Sequence, residues 1–281
     1  MNLLEYWNFE LPPFEGNVDE RFYYESEDHA EALHRLRFIV ENKNMNMGLL
    51  TGEIGSGKTL LGHMIKKEIM NTTENYVAYF PTSAYLFVDI LRGTISQLTN
   101  TPPQSLPMGK FDLMHRLEQF IQKNVLPNQR QIVIILDEAQ GIEPNDLDAI
   151  KNLTNIGNQY FLAVTVIFIG EPRLRQTISS MPQIEQRVSI RYHLNYMNRE
   201  DTFKYLVHRM TVASNHKRDN FIFTKEAVDV IFENSKGIPR EINRACKLAL
   251  EYGFSMQLKK ITSKEMQSIF DDIRNEYRIA S

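Results

Sequence analysis

Gly52-Glu53-Ile54-Gly55-Ser56-Gly57-Lys58-Thr59 matches the pattern G-x-x-x-x-G-K-[ST] at every fixed position, and this stretch decides the fold. The glycines let the backbone turn tightly and bring successive N–H groups close to an oxyanion, which a Cβ atom would obstruct. Lys58 can reach the β- and γ-phosphates of a nucleotide, and the Thr59 hydroxyl can bind Mg²⁺. The alternative is a glycine-rich turn with a chance lysine, and a match at all four fixed positions between a strand and a helix argues against it. We therefore predict that residues 52–60, which include Leu60, bind nucleotide.

The flanking sequence supports this interpretation of the loop. Residues 47–51 have the apolar character of a short buried strand. Residues 60–70 follow with helical spacing of their apolar positions. A helix that begins at such a loop directs the positive end of its dipole toward a bound phosphate.

A second informative stretch is Gln131-Ile132-Val133-Ile134-Ile135-Leu136-Asp137-Glu138. A run of β-branched residues is typical of a strand that is buried on both faces of a parallel sheet. Asp137 can hold Mg²⁺ through its water shell, and Glu138 can polarise the water that attacks a γ-phosphate. The alternative is a strand that leads into a solvated turn. A phosphate-loop pattern about 80 residues upstream favours the catalytic interpretation.

Further strands alternate with helices up to about residue 194. Residues 161–170 read as another buried strand, and Glu171 follows at its end. Glu171 is a candidate to sense the γ-phosphate, the alternative being an ordinary loop-start residue. Residues 188–194 read as a last short strand. Alternating β and α units predict an α/β fold of three layers, in which helices cover both faces of a mostly parallel sheet.

From residue 195 the sequence predicts helices alone, so we expect two domains. Residues 1–194 would form the nucleotide-binding α/β domain, with 1–31 as an irregular, aromatic-rich segment packed on it. Residues 195–281 would form a small helical domain. Within it, Pro239 suits a helix start, and Arg240 would lie in the first turn, where a cation opposes the helix dipole. We therefore expect Arg240 to face an anion.

Bulk composition excludes several classes of protein. The chain is 42% hydrophobic and 24% charged, which is typical of a globular protein. The single cysteine, Cys246, excludes an internal disulfide and a cysteine-based metal cluster. No apolar run is long enough to cross a bilayer and no signal peptide is evident, so the sequence predicts a cytoplasmic protein without membrane insertion. The net charge is −3, but residues 1–31 hold nine acidic residues and one arginine, so the remainder is mildly basic and permits nucleic-acid contact.

Together, the sequence motifs described above resemble those of an AAA+ ATPase. The closer likeness is to the ExeA-type secretion ATPases and to the transposition ATPases of the TnsC, TniB and MuB kind. The segments that carry it are Tyr6-Trp7 with Pro13-Phe14, Leu136–Gln140, Gly170–Arg175, Gln186–Leu194 and Gly237–Arg240.

The resemblance implies that ATP and Mg²⁺ bind between the sheet domain and a helical lid, at a subunit interface of a ring or helical filament. It assigns Arg240 as the arginine that the lid supplies in cis. It assigns Arg187 as the arginine finger that reaches the γ-phosphate bound to a neighbouring subunit. Arg191 is the other candidate for this finger, and a surface salt bridge is the alternative role for Arg187. Relatives commonly carry glutamine at the position of Glu171, and a carboxylate facing the γ-phosphate would repel it.

Three functions are compatible with these residues. The first is an ATPase that assembles on double-stranded DNA and directs a transposase or integrase, an expectation based on the end of the chain at residue 281 without a membrane span or a wall-binding module. The second is a cytoplasmic ATPase accessory to an envelope secretion or pilus system. The third is a nucleotide-gated scaffold that does not hydrolyse ATP, against which Glu138 argues.

Overall fold

The computed structural model describes residues 1–16, 19–82, 85–215 and 221–279, with side chains through residue 275. They divide into two units. The α/β unit comprises Glu27–Ile54 and Lys58–Leu194. The helical unit comprises Met1–Ser26, Gly55–Gly57 and Asn195–Ser281.

A parallel sheet is the centre of the α/β unit. Its five strands are β1 (Met47–Gly52), β2 (Tyr76–Phe80), β3 (Ile132–Leu136), β4 (Val164–Gly170) and β5 (Ile190–Leu194). They lie in the order β2-β3-β4-β1-β5, and every neighbouring pair is parallel. This architecture confirms the predicted α/β fold. Residues 161–163 precede β4, because Leu162 forms an isolated bridge with Gly157 instead of extending the strand.

Helices cover both faces of this sheet. The α-helices of the described residues are α1 (Leu3–Tyr6), α2 (Glu27–Glu41), α3 (Lys58–Thr72), α4 (Phe87–Thr99), α5 (Lys110–Phe120), α6 (Pro144–Leu153), α7 (Pro172–Ser179), α8 (Pro182–Glu185), α9 (Arg199–Ala213), α10 (Lys225–Ser235), α11 (Pro239–Ser255) and α12 (Ser263–Ile279). Successive residues of a strand face opposite layers. Ile134 of β3 accordingly packs in the core formed with α4 to α8, whereas Ile135 packs in the core formed with α2 and α3.

The strand order decides which loops meet. Because β4 lies between β1 and β3, the carboxyl ends of these three strands are adjacent. The register pairs Thr51 with Gly170 and Leu136 with Phe168. Ligands bind at the carboxyl ends of strands in open parallel sheets. The loops after β1, β3 and β4 therefore share one edge of the sheet.

The N-terminal segment belongs to the helical unit, which corrects the expectation that it packs on the α/β domain. Its aromatic side chains share a core with α9 to α12. The indole N–H of Trp7 donates to the Leu250 carbonyl at 3.0 Å, and the Tyr6 hydroxyl donates to the Leu258 carbonyl at 2.7 Å. Aromatic residues with a polar tip gain from burial when that tip finds an acceptor. The Leu250 carbonyl of α11 and the Leu258 carbonyl, just beyond that helix, supply such acceptors.

Arg209 of α9 fixes the same segment from the other side. Its guanidinium donates to the carbonyls of Pro13 and Glu15 and lies over the ring of Phe22, 4.8 Å from the centroid. A buried arginine needs several acceptors to offset its lost hydration. Residues 1–26 supply them, so this segment completes the helical unit.

Within the described residues, no helix is both long enough and apolar enough to traverse a bilayer.

Candidate nucleotide-binding site

The loop between β1 and α3 adopts a conformation that only glycine tolerates at two points. β1 ends at Gly52 and α3 begins at Lys58. Gly55 and Gly57 have φ angles of 81° and 100°, in the left-handed region. Between them, Ser56 is 1% exposed, and its Oγ lacks a hydrogen-bond partner in the described part of the chain. An unpaired buried hydroxyl in a tight loop at a helix N-terminus fits an anionic ligand.

Lys58 is buried, and its ammonium group is held by the loop itself. The side chain is 5% exposed, and Nζ donates to the Glu53 carbonyl at 2.9 Å. Burial lowers the pKa of Lys58, while the carboxylates of Glu138 and Asp137 act in the opposite direction. A buried cation near carboxylates is suited to a triphosphate, whose negative charge favours the ammonium form.

Asp137 is completely buried at the end of β3 and meets Thr59 of the loop. The Thr59 hydroxyl hydrogen-bonds to the Asp137 carboxylate. The Tyr79 hydroxyl donates to Oδ2 at 3.1 Å, and the Glu138 N–H donates to Oδ1 at 2.8 Å. Burial raises the pKa of Asp137, whereas these hydrogen bonds lower it. A divalent cation would favour the carboxylate, so this pair of oxygen ligands fits Mg²⁺ coordination.

Glu138 occupies a strained position immediately after Asp137. Its φ of 53° lies in the left-handed region, which is unfavourable for a residue with a Cβ and is found at functional sites. The Gln140 amide donates to its Oε2 at 2.7 Å. Among the charged neighbours that raise the pKa of Lys58, the Glu138 carboxylate has the largest effect. The carboxylate is therefore held at the same edge of the sheet as the loop.

Glu171 follows β4, as the sequence analysis expects, and its carboxylate is engaged. Oε1 accepts from the Gln140 amide at 3.2 Å, and Oε2 lies 3.5 Å from Arg173 Nε. Gln140 and Arg173 thus partly offset the negative charge of Glu171 that would repel a γ-phosphate. A sensing role for Glu171 stays a prediction.

Gln140 and Tyr79 lie at the site without a role predicted from the sequence. Gln140 lies two residues beyond Glu138, within a segment that the family resemblance includes, so its position was a usable signal. Tyr79 gave no such signal, because it reaches Asp137 only through the pairing of β2 with β3.

The arginines of the sequence analysis lie in different units. Arg240 is exposed in the first turn of α11 in the helical unit. That unit includes Gly55, and a Cβ placed on Gly55 would lie 3.0 Å from Arg240 Cβ. Arg187 is exposed in the turn before β5 of the α/β unit. Arg191 donates to the Glu185 carbonyl and forms an ion pair with the Glu185 carboxylate.

The predicted nucleotide-binding residues also include Glu53 and Ile54, which are exposed, and Leu60, which is half-buried. Of these, Glu53 contributes through its carbonyl, which accepts from Lys58. The structure thus brings Lys58, Thr59, Asp137 and Glu138 together at one sheet edge.

A parallel sheet with a phosphate-loop sequence after β1, and with buried Asp137 and half-buried Glu138 after β3, is a P-loop α/β fold of the kind that AAA domains have. Residues 41–178 match the family model described as an AAA domain. It is 30% identical over 262 residues to the General secretion pathway protein A of Aeromonas hydrophila. The match covers 92% of this chain and 46% of the relative, so the chain spans about half of that protein's length.

Solved structures share the fold. The Aeropyrum pernix ORC2 protein in its ADPNP–ADP complexes superposes with a TM-score of 0.66 at 18% identity, over 94% of this chain and 72% of that one. The Pyrobaculum aerophilum Cdc6p superposes with a TM-score of 0.67 at 14% identity, over 89% of this chain and 67% of the other. At these identities the likeness concerns the fold alone.

Proposed function

We propose that this protein binds ATP with Mg²⁺ at residues 52–60 and hydrolyses it to ADP and phosphate. One observation carries the proposal: Thr59, the last residue of the phosphate-loop pattern, is hydrogen-bonded to the buried Asp137, next to Glu138. When bound, Mg²⁺ would neutralise charge on the phosphates. Lys58 binds phosphate oxygens, Thr59 and Asp137 hold the ion, and Glu138 orients the attacking water and accepts its proton.

We further propose that two arginines complete the pocket when copies of the chain assemble in a ring or filament. Arg240 would contact the nucleotide of its own subunit. Arg187 would reach the γ-phosphate in a neighbour, where an arginine stabilises charge that develops during transfer. The exposure of Arg187 supports it over Arg191, which is engaged by Glu185.

The proposed setting is the cytoplasmic side of an envelope secretion system, where ATP is available. The similarity to the Aeromonas hydrophila secretion protein over 262 residues supports this choice over the transposition role. Assembly on double-stranded DNA with a transposase or integrase stays the competing hypothesis. Adding duplex DNA to the purified protein with ATP at low salt separates the two, because a DNA-dependent ATPase would form large, salt-sensitive assemblies. Such assemblies would favour the DNA role.

The test of the central proposal is Mg²⁺-dependent release of phosphate from ATP by the purified chain. Glu138→Gln keeps the shape of the side chain but removes the base, so turnover should fall by about 10²–10⁴-fold. Binding of a fluorescent ATP analogue should remain. Glu118→Gln is the matched control, since Glu118 is an exposed glutamate of α5. Wild-type protein that binds no nucleotide would refute the proposal. Nucleotide binding with negligible turnover in both the wild-type protein and Glu138→Gln would instead support a nucleotide-gated scaffold.

A further inference from the structure

Gln140 joins the ends of β3 and β4 through three hydrogen bonds. Its amide nitrogen donates to Glu138 Oε2 at 2.7 Å and to Glu171 Oε1 at 3.2 Å. Its carbonyl oxygen Oε1 accepts from the Glu171 main-chain N–H at 3.1 Å. The amide group has two hydrogens on nitrogen, so each carboxylate can receive one. Both amide hydrogens of Gln140 are thus used within the site.

The backbone immediately after β4 determines which end of this amide faces the carboxylates. A main-chain N–H can only donate, so the oxygen of Gln140 must face Glu171 N and the NH₂ group must face Glu138. Gly170 makes this approach possible. A Cβ at Gly170 would lie 2.5 Å from Gln140 Oε1, too close for any real contact. The orientation of the amide is therefore built into the sheet.

We propose that Gln140 is a positioning residue that holds the Glu138 carboxylate in place for catalysis and uses Glu171 as its anchor. This inference rests on the proposed ATPase function and deepens it. It gives Glu171 a role at the end of β4 that does not require its carboxylate to face a γ-phosphate.

A neutral amide suits this task better than a cation. An arginine or lysine would form an ion pair with Glu138 and make it a weaker proton acceptor. The amide restrains the carboxylate without adding charge. The strained backbone at Glu138 directs the side chain, and Gln140 fixes its free end.

Gln140→Ala tests the inference in the full chain. A carboxylate displaced by about 1 Å costs about 10²-fold in rate, so kcat should fall by about that factor. KM and the affinity for a fluorescent ATP analogue should change by no more than about 2-fold, because an interaction with the base alone does not hold the substrate. Gln176→Ala on the exposed side of α7 is the matched control, and thermal melting of each variant checks the fold.

Glu171→Ala supplies a second, independent variant. If Gln140 and Glu171 act as one unit, the variant with both substitutions should lose no more activity than Gln140→Ala alone. If their roles are independent, the fold-losses of the two single variants should multiply. A Gln140→Ala protein with wild-type kcat would overturn the inference, as would a rise in KM at constant kcat, which would mean that Gln140 contacts the nucleotide.

A readout independent of turnover is the NMR signal of the Gln140 side-chain NH₂ group, identified by its loss in Gln140→Ala. The signal should shift in Glu138→Ala and in Glu171→Ala, since both acceptors contact this nitrogen. If the signal shifts in neither variant, the proposed hydrogen bonds from Gln140 to Glu138 and Glu171 are refuted. Wild-type protein without ATPase activity would refute the proposed function, and the NMR signal would still report whether the bridge exists.

Discussion

Replacing Trp7 by alanine tests the most unexpected feature of the fold, the membership of residues 1–26 in the helical unit. The indole is 4% exposed, packs edge-on against Tyr6 at 4.8 Å and donates to the Leu250 carbonyl. Loss of a buried tryptophan side chain costs about 3–5 kcal/mol through lost burial and the cavity that remains. The hydrogen bond accounts for about 1 kcal/mol of this. We expect the free energy of unfolding of the helical unit to fall by about 3–5 kcal/mol.

The assay is urea unfolding followed by far-UV circular dichroism. Trp7 is the single tryptophan of the chain, so its fluorescence identifies the transition of this unit in the wild-type protein. Leu248→Ala on the outer side of α11 is the control, and its cost should stay below about 1 kcal/mol because Leu248 is 37% exposed. A loss below about 1 kcal/mol in Trp7→Ala would refute the reasoning, since the segment would then contribute little to the core.

A substitution at Gly253 of α11 tests the packing of Trp7 against that helix. A Cβ on Gly253 would lie 2.8 Å from Trp7 Cζ2 and 2.6 Å from Ile261 Cδ1, so Gly253→Ala should overpack the site and cost about 1–3 kcal/mol. In the Trp7→Ala background one of these clashes is absent. The two substitutions should therefore be non-additive, and Gly253→Ala should cost less in the double variant.

Three further predictions concern the loop, the sheet and the helical unit. Lys58→Ala removes a charged hydrogen-bond donor and should weaken binding of a fluorescent ATP analogue by about 10-fold or more. Gly237→Ala places a Cβ 1.8 Å from the Met197 carbonyl at a φ of 74°, and should destabilise by about 2 kcal/mol or more in urea titrations, whereas Gly16→Ala, with nothing within 4 Å, should be tolerated. Burial and the hydrogen bond to Asp28 raise the pKa of Tyr192 to about 12, so the contribution of this hydroxyl is present below pH 10 and is lost as pH rises through 12. Tyr192→Phe should therefore cost about 1 kcal/mol of unfolding free energy at pH 7, and that difference should shrink near pH 12.

The local chemistry of the site could be predicted from sequence because it depends on near neighbours. The glycines at 55 and 57 are required by the turn they form, and Lys58 and Thr59 follow them directly along the chain. The β-branched run of residues 132–135 encodes a strand buried on both faces, which places Asp137 just beyond its end. Alternating strand and helix patterns are sufficient to indicate a parallel sheet.

Contacts between distant parts of the chain could be seen only in the tertiary structure. The order β2-β3-β4-β1-β5 places β4 between β1 and β3, and no local pattern encodes that order. Gln140 reaches Glu171 across 31 positions, and Tyr79 reaches Asp137 across 58. Trp7 meets Leu250 across 243 positions. Aromatic residues near the start of the chain predict that the segment is buried, but burial is non-directional and does not specify the surface that accepts it. Sequence by itself thus indicated which groups are candidates for the chemistry, and only the packing of the sheet and helices decided which of them meet.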